Sequence, residues 1–227
     1  MSKNSKTPKA ETIRGNLLHW WDTGRRDLPW RRTKDPYAVW VSEIMLQQTR
    51  IDTVIPYYHR FLGRLPTVEA LARAKIDTVL KLWEGLGYYS RARNLHKAAG
   101  LIIRQYGGRF PRDAGELQKL PGIGRYTAGA IASIAFGQPA PLVDGNVIRV
   151  LSRIYCLRED PTRSAVQKRI WQLAEELLCA KRPGDLNQSM MELGALVCKP
   201  INPDCSNCPV KRHCLALKQN LQNDLPR

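Results

Sequence analysis

Residues 120–137, LPGIGRYTAGAIASIAFG, contain two closely spaced glycines followed by a run of small residues. The glycine-containing part, 120–124, lies between segments with helical patterning, so the sequence predicts a hairpin that joins two helices. Glycines permit backbone conformations in which successive N–H groups point outward at the start of the second helix, an arrangement that binds anions. An ordinary tight turn is the alternative. The small residues behind the hairpin and the positive charge of the chain favour anion binding.

Helical patterning continues through most of the chain. Short amphipathic segments are separated by Pro, Gly or charged turns, and no stretch alternates with a period of two over the length of a strand. Asp35-Pro36 is typical of a helix start, and an apolar run follows over 37–46. The sequence therefore predicts an all-α protein of many short helices. Prolines near 27–33 and 137–142 mark two lobe boundaries, and 220–227 is expected to be a linker.

Composition narrows the class of protein. A length of 227 residues suggests one or two domains, and 43% hydrophobic residues exclude disorder throughout the chain. The net charge is +16, which indicates a polyanionic partner; nucleic acid is the first candidate and an anionic membrane surface the second. No run of about 18 apolar residues is present, so the sequence predicts no membrane span.

Four cysteines near the C-terminus form the pattern C-x6-C-x2-C-x5-C at Cys198, Cys205, Cys208 and Cys214. The N-terminal MSKNSKTPKAE has no apolar core, which argues against secretion and for a reducing cytosol, where cysteines serve as metal ligands or buried thiols. A zinc site with four cysteines is one reading. Structural zinc sites usually combine two pairs of cysteines, each pair separated by two to four residues, however. Here only Cys205 and Cys208 form such a pair. The spacing favours an iron–sulfur cluster.

Two carboxylates occupy contrasting positions. Glu43 is the only charged residue between Asp35 and Arg50, and burial in that apolar helix should favour a protonated carboxyl group. A Glu that points to solvent or to an arginine is the alternative. Asp144 precedes a predicted helix, where an N-cap position should keep its carboxylate ionised. One protonated and one ionised carboxyl group is the arrangement that acid-assisted glycosidic cleavage requires.

At these residues the chain resembles the helix–hairpin–helix DNA glycosylase superfamily and, within it, the MutY-type adenine DNA glycosylases. The resemblance extends from about residue 11 to the C-terminus. The matching segments are LPWR (28–31), VSEIMLQQTR (41–50), VIPYYHRF (54–61), WEGLGYYSRARNLH (83–96), LPGIGRYTAGAIASIAFG (120–137), VDGNVIRVLSR (143–153), MELGALVC (191–198) and the four-cysteine loop.

The resemblance implies an all-α fold of two lobes with DNA in the cleft between them. Residues 1–10 are expected to form a disordered tail. A six-helix barrel lobe is expected over 32–136, with the helix–hairpin–helix at 114–136. An iron–sulfur lobe, carrying a 4Fe–4S cluster on the four cysteines, is expected to combine 11–31 with 137–227.

The resemblance also implies roles for four residues in catalysis. Glu43 matches the general acid that protonates a ring nitrogen of a flipped adenine, and Asp144 matches the carboxylate that stabilises the oxocarbenium sugar. Tyr126 and Asn146 match helpers at the same site. Relatives of the endonuclease III type, which also cut the DNA backbone, carry lysine where this chain has Tyr126, so a monofunctional enzyme without strong AP-lyase activity is expected.

Further matching residues are expected to contact DNA. Gln48 and Tyr88 match residues that enter the base stack opposite the extruded nucleotide, which offsets the cost of extrusion. The hairpin glycines are expected at the phosphate backbone. The remaining matches line the base pocket or touch DNA. The full set is Arg26, Trp30, Arg31, Leu46, Gln48, Thr49, Tyr88, Gly122 and Gly124.

The expected substrate is double-stranded DNA with adenine opposite 8-oxoguanine or guanine, bound by a monomer in the cytoplasm at the bacterial nucleoid. MutY-type enzymes normally carry a C-terminal domain that reads oxidised guanine, and the sequence ends at Arg227, where the linker to that domain is expected. Preference for 8-oxoguanine over guanine is therefore not implied. A short thymine or uracil mismatch glycosylase and a non-catalytic, cluster-bearing DNA-binding protein are the alternative functions.

Overall fold

A computed structural model describes residues 9–227, and this part of the chain contains helices but no β-strand, which confirms the all-α class. None of the described helices is both long and apolar enough to cross a bilayer. The helices, numbered in chain order, are α1 (Ala10–Gly24), α2 (Pro36–Leu46), α3 (Ile51–Arg64), α4 (Val68–Arg73), α5 (Ile76–Trp83), α6 (Tyr89–Tyr106), α7 (Ala114–Leu117), α8 (Arg125–Ile134), α9 (Gly145–Ile154), α10 (Ser164–Glu176), α11 (Pro183–Leu196) and α12 (Leu215–Lys218), with 3₁₀ turns at Pro29–Arg31 and Lys211–His213.

The described residues divide into two compact units. We call Asp27–Gln138 the internal unit, and residues 9–26 with Pro139–Arg227 the terminal unit. Residues 27–31, which the sequence analysis assigned to the lobe with the cysteines, belong to the internal unit. The reason is that Trp30 packs edge-to-face on Tyr58 of α3, with ring centroids 5.5 Å apart.

The sequence predicts a disordered tail over residues 1–10, but residue 10 is helical. Helix α1 begins at Ala10, because alanine is a strong helix former and Glu11 places a negative charge in the first turn. Residues 1–8 lie outside the described part of the chain. The apolar face of α1 then follows at helical spacing with Ile13, Leu17 and Trp21.

Helix α2 lies at the core of the internal unit. Residues 37–45 are all buried, so the helix is enclosed around its whole circumference, and it packs against α3, α6 and α8. The expected start is present, because the carboxylate of Asp35 accepts hydrogen bonds from the backbone N–H groups of Tyr37 and Ala38 and Pro36 occupies the first turn. Trp40 and Trp83 are fully buried in the surrounding core.

The predicted hairpin joins α7 to α8. Gly122 has φ +77°, a conformation that L side chains rarely adopt, and a Cβ atom added there would lie 2.8 Å from Cβ of Asn94 on α6. Residues 127–133 of α8 are small apart from Ile131 and all are buried. Small side chains let α8 approach α2 closely, so this segment places the hairpin beside the helix that carries Glu43.

Helix α9 organises the terminal unit by packing against α10, α11 and α12, while α1 packs on α11. A Cβ atom at Gly194 of α11 would lie 2.6 Å from Cβ of Asn146, so α9 and α11 meet in near backbone contact. The expected linker over 220–227 is wrong. Leu225 is 2% exposed and packs with Cys214 and Ala216, which fixes the end of the chain to this unit.

Candidate active site and cysteine centre

Glu43 lies on the last turn but one of α2 and is 5% exposed. The hydroxyl of Tyr126, on the first turn of α8, donates a hydrogen bond of 2.6 Å to Oε2 of this carboxyl group. Next to this pair, Nε2 of Gln47 donates to Oγ1 of Thr127 over 3.4 Å. The structure therefore brings together two residues predicted for catalysis, Glu43 and Tyr126, within the internal unit.

Asp144 is the N-cap of α9 in the terminal unit, as expected. Its Oδ1 accepts a 2.7 Å hydrogen bond from the backbone N–H of Val147, and its Oδ2 accepts one of 2.8 Å from Nδ2 of Asn146. The carboxylate thus lies at the positive end of the α9 dipole, with two donors directed at it. Asp144 and Asn146, the other two residues predicted for catalysis, are in direct contact.

Arg149 extends this contact, and the sequence analysis assigned it no role. Its Nη2 donates to Oδ1 of Asn146 and to the carbonyl oxygen of Gly194, both over 2.8 Å, and its Nε donates to the carbonyl oxygen of Cys198 over 2.7 Å. One guanidinium therefore fixes the orientation of the Asn146 amide and connects it to the loop that begins at Cys198. The only sequence signal is an arginine one turn after Asn146 on the same helix face.

Gln48 and Tyr88, expected to enter the base stack, are exposed on turns of the internal unit. Both have positive φ, +56° at Gln48 and +46° at Tyr88, which is uncommon for residues other than glycine. The Tyr88 side chain is 61% exposed. Leu46 and Thr49 are half-buried on either side of Gln48.

The hairpin glycines Gly122 and Gly124 are both exposed. Gly124 is the N-cap of α8 and offers no side chain to accept hydrogen bonds from the first turn of that helix. Backbone N–H groups at such a helix start are suited to bind an anion, as predicted for a phosphate.

The remaining predicted contacts differ in their surroundings. Nε and Nη2 of Arg26 donate to the two oxygens of Glu192 over 2.9 and 2.5 Å, and Glu192 is almost completely buried. This bidentate pair in the terminal unit gives Arg26 a structural role that the sequence analysis missed. Trp30 is buried against Tyr58, and Arg31 is half-buried at the end of its 3₁₀ turn.

All four predicted cysteine ligands border one cavity of the terminal unit. Its other walls include Val150, Arg153, Leu193 and Val210. Arg153 is 2% exposed, and its Nη1 lies 3.4 Å from Sγ of Cys198. Nη1 also donates to the carbonyl oxygen of Lys199, Nη2 donates to that of Pro200, and Nε donates to that of Leu225. Within residues 9–227, no three His, Cys, Asp or Glu side chains are grouped closely enough to hold a single metal ion.

Burial raises the pKa of the Cys208 thiol to about 12, and it also raises the pKa of Cys205 and of Cys214. Neighbouring thiols add to each rise, because several thiolates in one apolar cavity repel each other. A cationic metal centre removes this penalty and binds cysteine as thiolate. Four cysteines that border one cavity are a donor set that fits a thiolate-bound metal centre.

Comparisons with known proteins identify the family of this chain. The model of the HhH-GPD superfamily base excision DNA repair proteins matches residues 41–176, which include Glu43, Tyr126 and Asp144. The human adenine DNA glycosylase is 51% identical over 226 residues, a match that covers 96% of this chain.

Two solved structures are similar over most of the chain. One is described as a thermostable thymine-DNA glycosylase (TM-score 0.83, 32% identity, 92% of this chain and 97% of that chain). The other is a trapped endonuclease III–DNA covalent intermediate (TM-score 0.76, 25% identity, 94% of this chain and 99% of that chain). The chain spans about two fifths of the human relative, 41% of its length. With the family model matched over more than half of its residues, the chain belongs to the HhH-GPD superfamily of base excision DNA repair proteins.

Proposed function

We propose that this chain is a monofunctional adenine DNA glycosylase. It hydrolyses the N-glycosidic bond of adenine mispaired with 8-oxoguanine or guanine in double-stranded DNA. The observation that carries the adenine specificity is the 51% identity with the human adenine DNA glycosylase over nearly the whole of this chain. The net charge of +16 supports a polyanionic substrate.

Glu43 serves as the general acid in this proposal. A carboxyl group buried in an apolar helix is suited to carry a proton, because burial disfavours its ionised form. Protonation of a purine ring nitrogen turns adenine into a neutral leaving group. Tyr126 fixes the carboxyl group through the 2.6 Å hydrogen bond to Oε2, and so limits the directions in which the proton can be delivered.

Asp144 stabilises the positive charge that develops on the deoxyribose as the base departs. The donors at its two oxygens, the backbone of Val147 and the Asn146 amide, hold the carboxylate in one orientation before the reaction. Water then adds to the sugar carbon, giving free adenine and an abasic site. Tyr126 supplies no amine where endonuclease III-type relatives carry lysine, so no Schiff base forms there and strong AP-lyase activity is absent.

Contacts to DNA come from exposed turns of the internal unit in this proposal. Gln48 and Tyr88 enter the base stack, and the hairpin glycines bind a phosphate through backbone N–H groups. The other residues, Arg26, Trp30, Arg31, Leu46 and Thr49, line the base pocket or support it. The protein acts as a monomer in the cytoplasm at the nucleoid.

Cys198, Cys205, Cys208 and Cys214 hold a 4Fe–4S cluster in this proposal, with the terminal unit as the cluster lobe and the internal unit as the barrel lobe. Such a cluster carries electrons, but hydrolysis of a glycosidic bond consumes none, so its contribution here is to brace the loop. Support comes from the four cysteines bordering one cavity and from their C-x6-C-x2-C-x5-C spacing, which differs from paired zinc knuckles.

The cluster predicts a measurable iron content. Anaerobically purified protein is expected to be yellow-brown and to contain about four irons and four inorganic sulfides per chain. Cys208→Ser should lower the iron content, whereas Cys179→Ser, a cysteine outside the cavity, should leave it unchanged. A colourless preparation that contains zinc would contradict the cluster.

A thymine mismatch glycosylase is the second candidate, because the solved structure described as a thermostable thymine-DNA glycosylase is matched over nearly its full length. Incubation with duplexes that carry adenine opposite 8-oxoguanine, adenine opposite guanine, or thymine opposite guanine separates the two. We expect adenine release from the first two, with strand cleavage only after alkali. Release of thymine alone would reject the adenine proposal, and strand cleavage without alkali would reject monofunctional hydrolysis.

A further inference from the structure

Arg91, on the first turn of α6, donates hydrogen bonds to six protein oxygens. Its Nη1 donates to the carbonyl oxygens of Ile44 (2.9 Å), Met45 (3.2 Å) and Gln47. Its Nη2 donates to the carbonyl oxygens of Leu86 (3.1 Å) and Gly87 (3.4 Å), and to Oγ1 of Thr49 (3.4 Å). One guanidinium therefore holds two separate turns.

The first of these turns follows the C-terminus of α2. The last carbonyl groups of a helix have no partner within it, and the positive charge of Arg91 at this end complements both those carbonyl groups and the helix dipole. Ile44, one of the acceptors, directly follows Glu43. The second turn precedes α6, where the guanidinium also lies over the rings of Trp83 and Tyr88, at 5.5 and 5.3 Å from their centroids.

Each turn contains one residue other than glycine with positive φ, Gln48 in the first and Tyr88 in the second. Such conformations cost free energy and persist where the surrounding structure enforces them. The contacts of Arg91 lie on both sides of Gln48, at the carbonyl oxygen of Gln47 and the hydroxyl of Thr49. Those at the carbonyl oxygens of Leu86 and Gly87 directly precede Tyr88. Gln48 and Tyr88 are also the two exposed side chains that the proposed function places in the base stack.

We propose that Arg91 is a positioning residue, whose guanidinium fixes both turns in the conformations that present Gln48 and Tyr88 to DNA. The inference rests on the proposed function for the roles of Gln48 and Tyr88. Arg91 does not itself bind a phosphate, because its Nη donors are directed at protein oxygens and its Nε is buried. Partial burial lowers the pKa of Arg91, and the surrounding carbonyl oxygens offset the cost of holding the cation there.

Lysine cannot replace Arg91 in this role. Its ammonium group presents three donors at one point, whereas the two Nη atoms of the guanidinium reach different turns. Arg91→Lys therefore keeps the charge and removes the bridge. Arg93→Lys is the matched control, since Arg93 is exposed two residues farther along the same helix.

Hydrogen exchange of the DNA-free protein tests the bridge directly. Arg91→Lys should accelerate amide exchange in both segments, 46–50 and 86–90, by at least about tenfold, while Arg93→Lys leaves both unchanged. Wild-type exchange in either segment would overturn the inference. Thr49→Val, which removes only one acceptor, provides a milder test: a smaller acceleration confined to 46–50 is expected, and none there would count against the bridge.

A mutant cycle tests the connection to DNA, with a duplex containing a tetrahydrofuran abasic site as the probe. Arg91→Lys should raise the Kd about tenfold in the wild-type background, but less than about twofold when Gln48 and Tyr88 are both alanine. An equal factor in both backgrounds would overturn the inference, since Arg91 would then act through charge or general stability. If the two alanines leave the Kd unchanged while exchange responds as expected, the proposed base-stack role fails and the bridge stands.

Discussion

Replacement of Glu43 by glutamine is expected to abolish adenine release while the affinity for a duplex with adenine opposite guanine stays within about twofold. Glutamine has the size of glutamate and can still accept the hydrogen bond from Tyr126, so α2 and α8 keep their contact. It has no acidic proton to deliver to the leaving base. A general acid contributes about 100- to 10,000-fold to a rate, and single-turnover release should fall by at least that factor.

Glu175→Gln is the control for this variant. Glu175 is exposed on α10, so its replacement makes the same carboxyl-to-amide change and raises the net charge by one, whereas Glu43 is protonated in the proposal. Its single-turnover rate should equal that of the wild type, which separates loss of an acid from a general effect of charge on DNA binding. Unchanged turnover of Glu43→Gln would refute the acid role.

Asp144→Asn is the second variant with a large expected effect. Asparagine is as good an N-cap as aspartate, so the bond from the Val147 N–H and the start of α9 should persist. The negative charge opposite the developing cation is lost, and loss of one preorganised electrostatic contact of this kind lowers a rate by about 100- to 1,000-fold. We expect a decrease of that size in single-turnover adenine release.

The control for Asp144→Asn comes from the same unit. Asp160 is half-buried, and its Oδ1 likewise accepts a bond from a nearby backbone N–H, that of Thr162. Asp160→Asn should release adenine at the wild-type rate. Asp144→Ala removes the cap as well and should lower the free energy of unfolding by about 0.5–2 kcal/mol. Full activity of Asp144→Asn would show that the carboxylate serves only to cap α9.

The features that could be predicted from sequence depend on neighbouring residues. The Asp35-Pro36 start of α2, the hairpin with Gly122 and the N-cap at Asp144 each use residues a few positions apart, so their chemistry is visible in the sequence. The pairing of Glu43 with Tyr126 is not local, and it could be expected only from the family resemblance.

The contacts that could not be predicted from sequence join residues that are far apart in the chain. Arg26 pairs with the buried Glu192 across 166 positions, and Arg149 reaches Cys198 across 49. Arg91 joins turns that lie on both sides of α5 in the chain. A charged residue is usually solvated, so nothing in the local sequence indicates that these arginines join distant segments. The apolar contacts of Leu225 come from Cys214 and Ala216, so the sequence immediately around it does not indicate that it is buried.

The pairing of α1 with α11 has a consequence for synthesis on the ribosome. The internal unit is contiguous and can fold as soon as Gln138 has emerged, whereas α1 must wait for a helix translated far later. During that interval Ile13, Leu17 and Trp21 present an apolar stripe with no native partner, which is a natural binding site for a chaperone. The nascent chain is therefore most prone to aggregate before α11 appears, and slower translation past Gln138 would prolong that exposure.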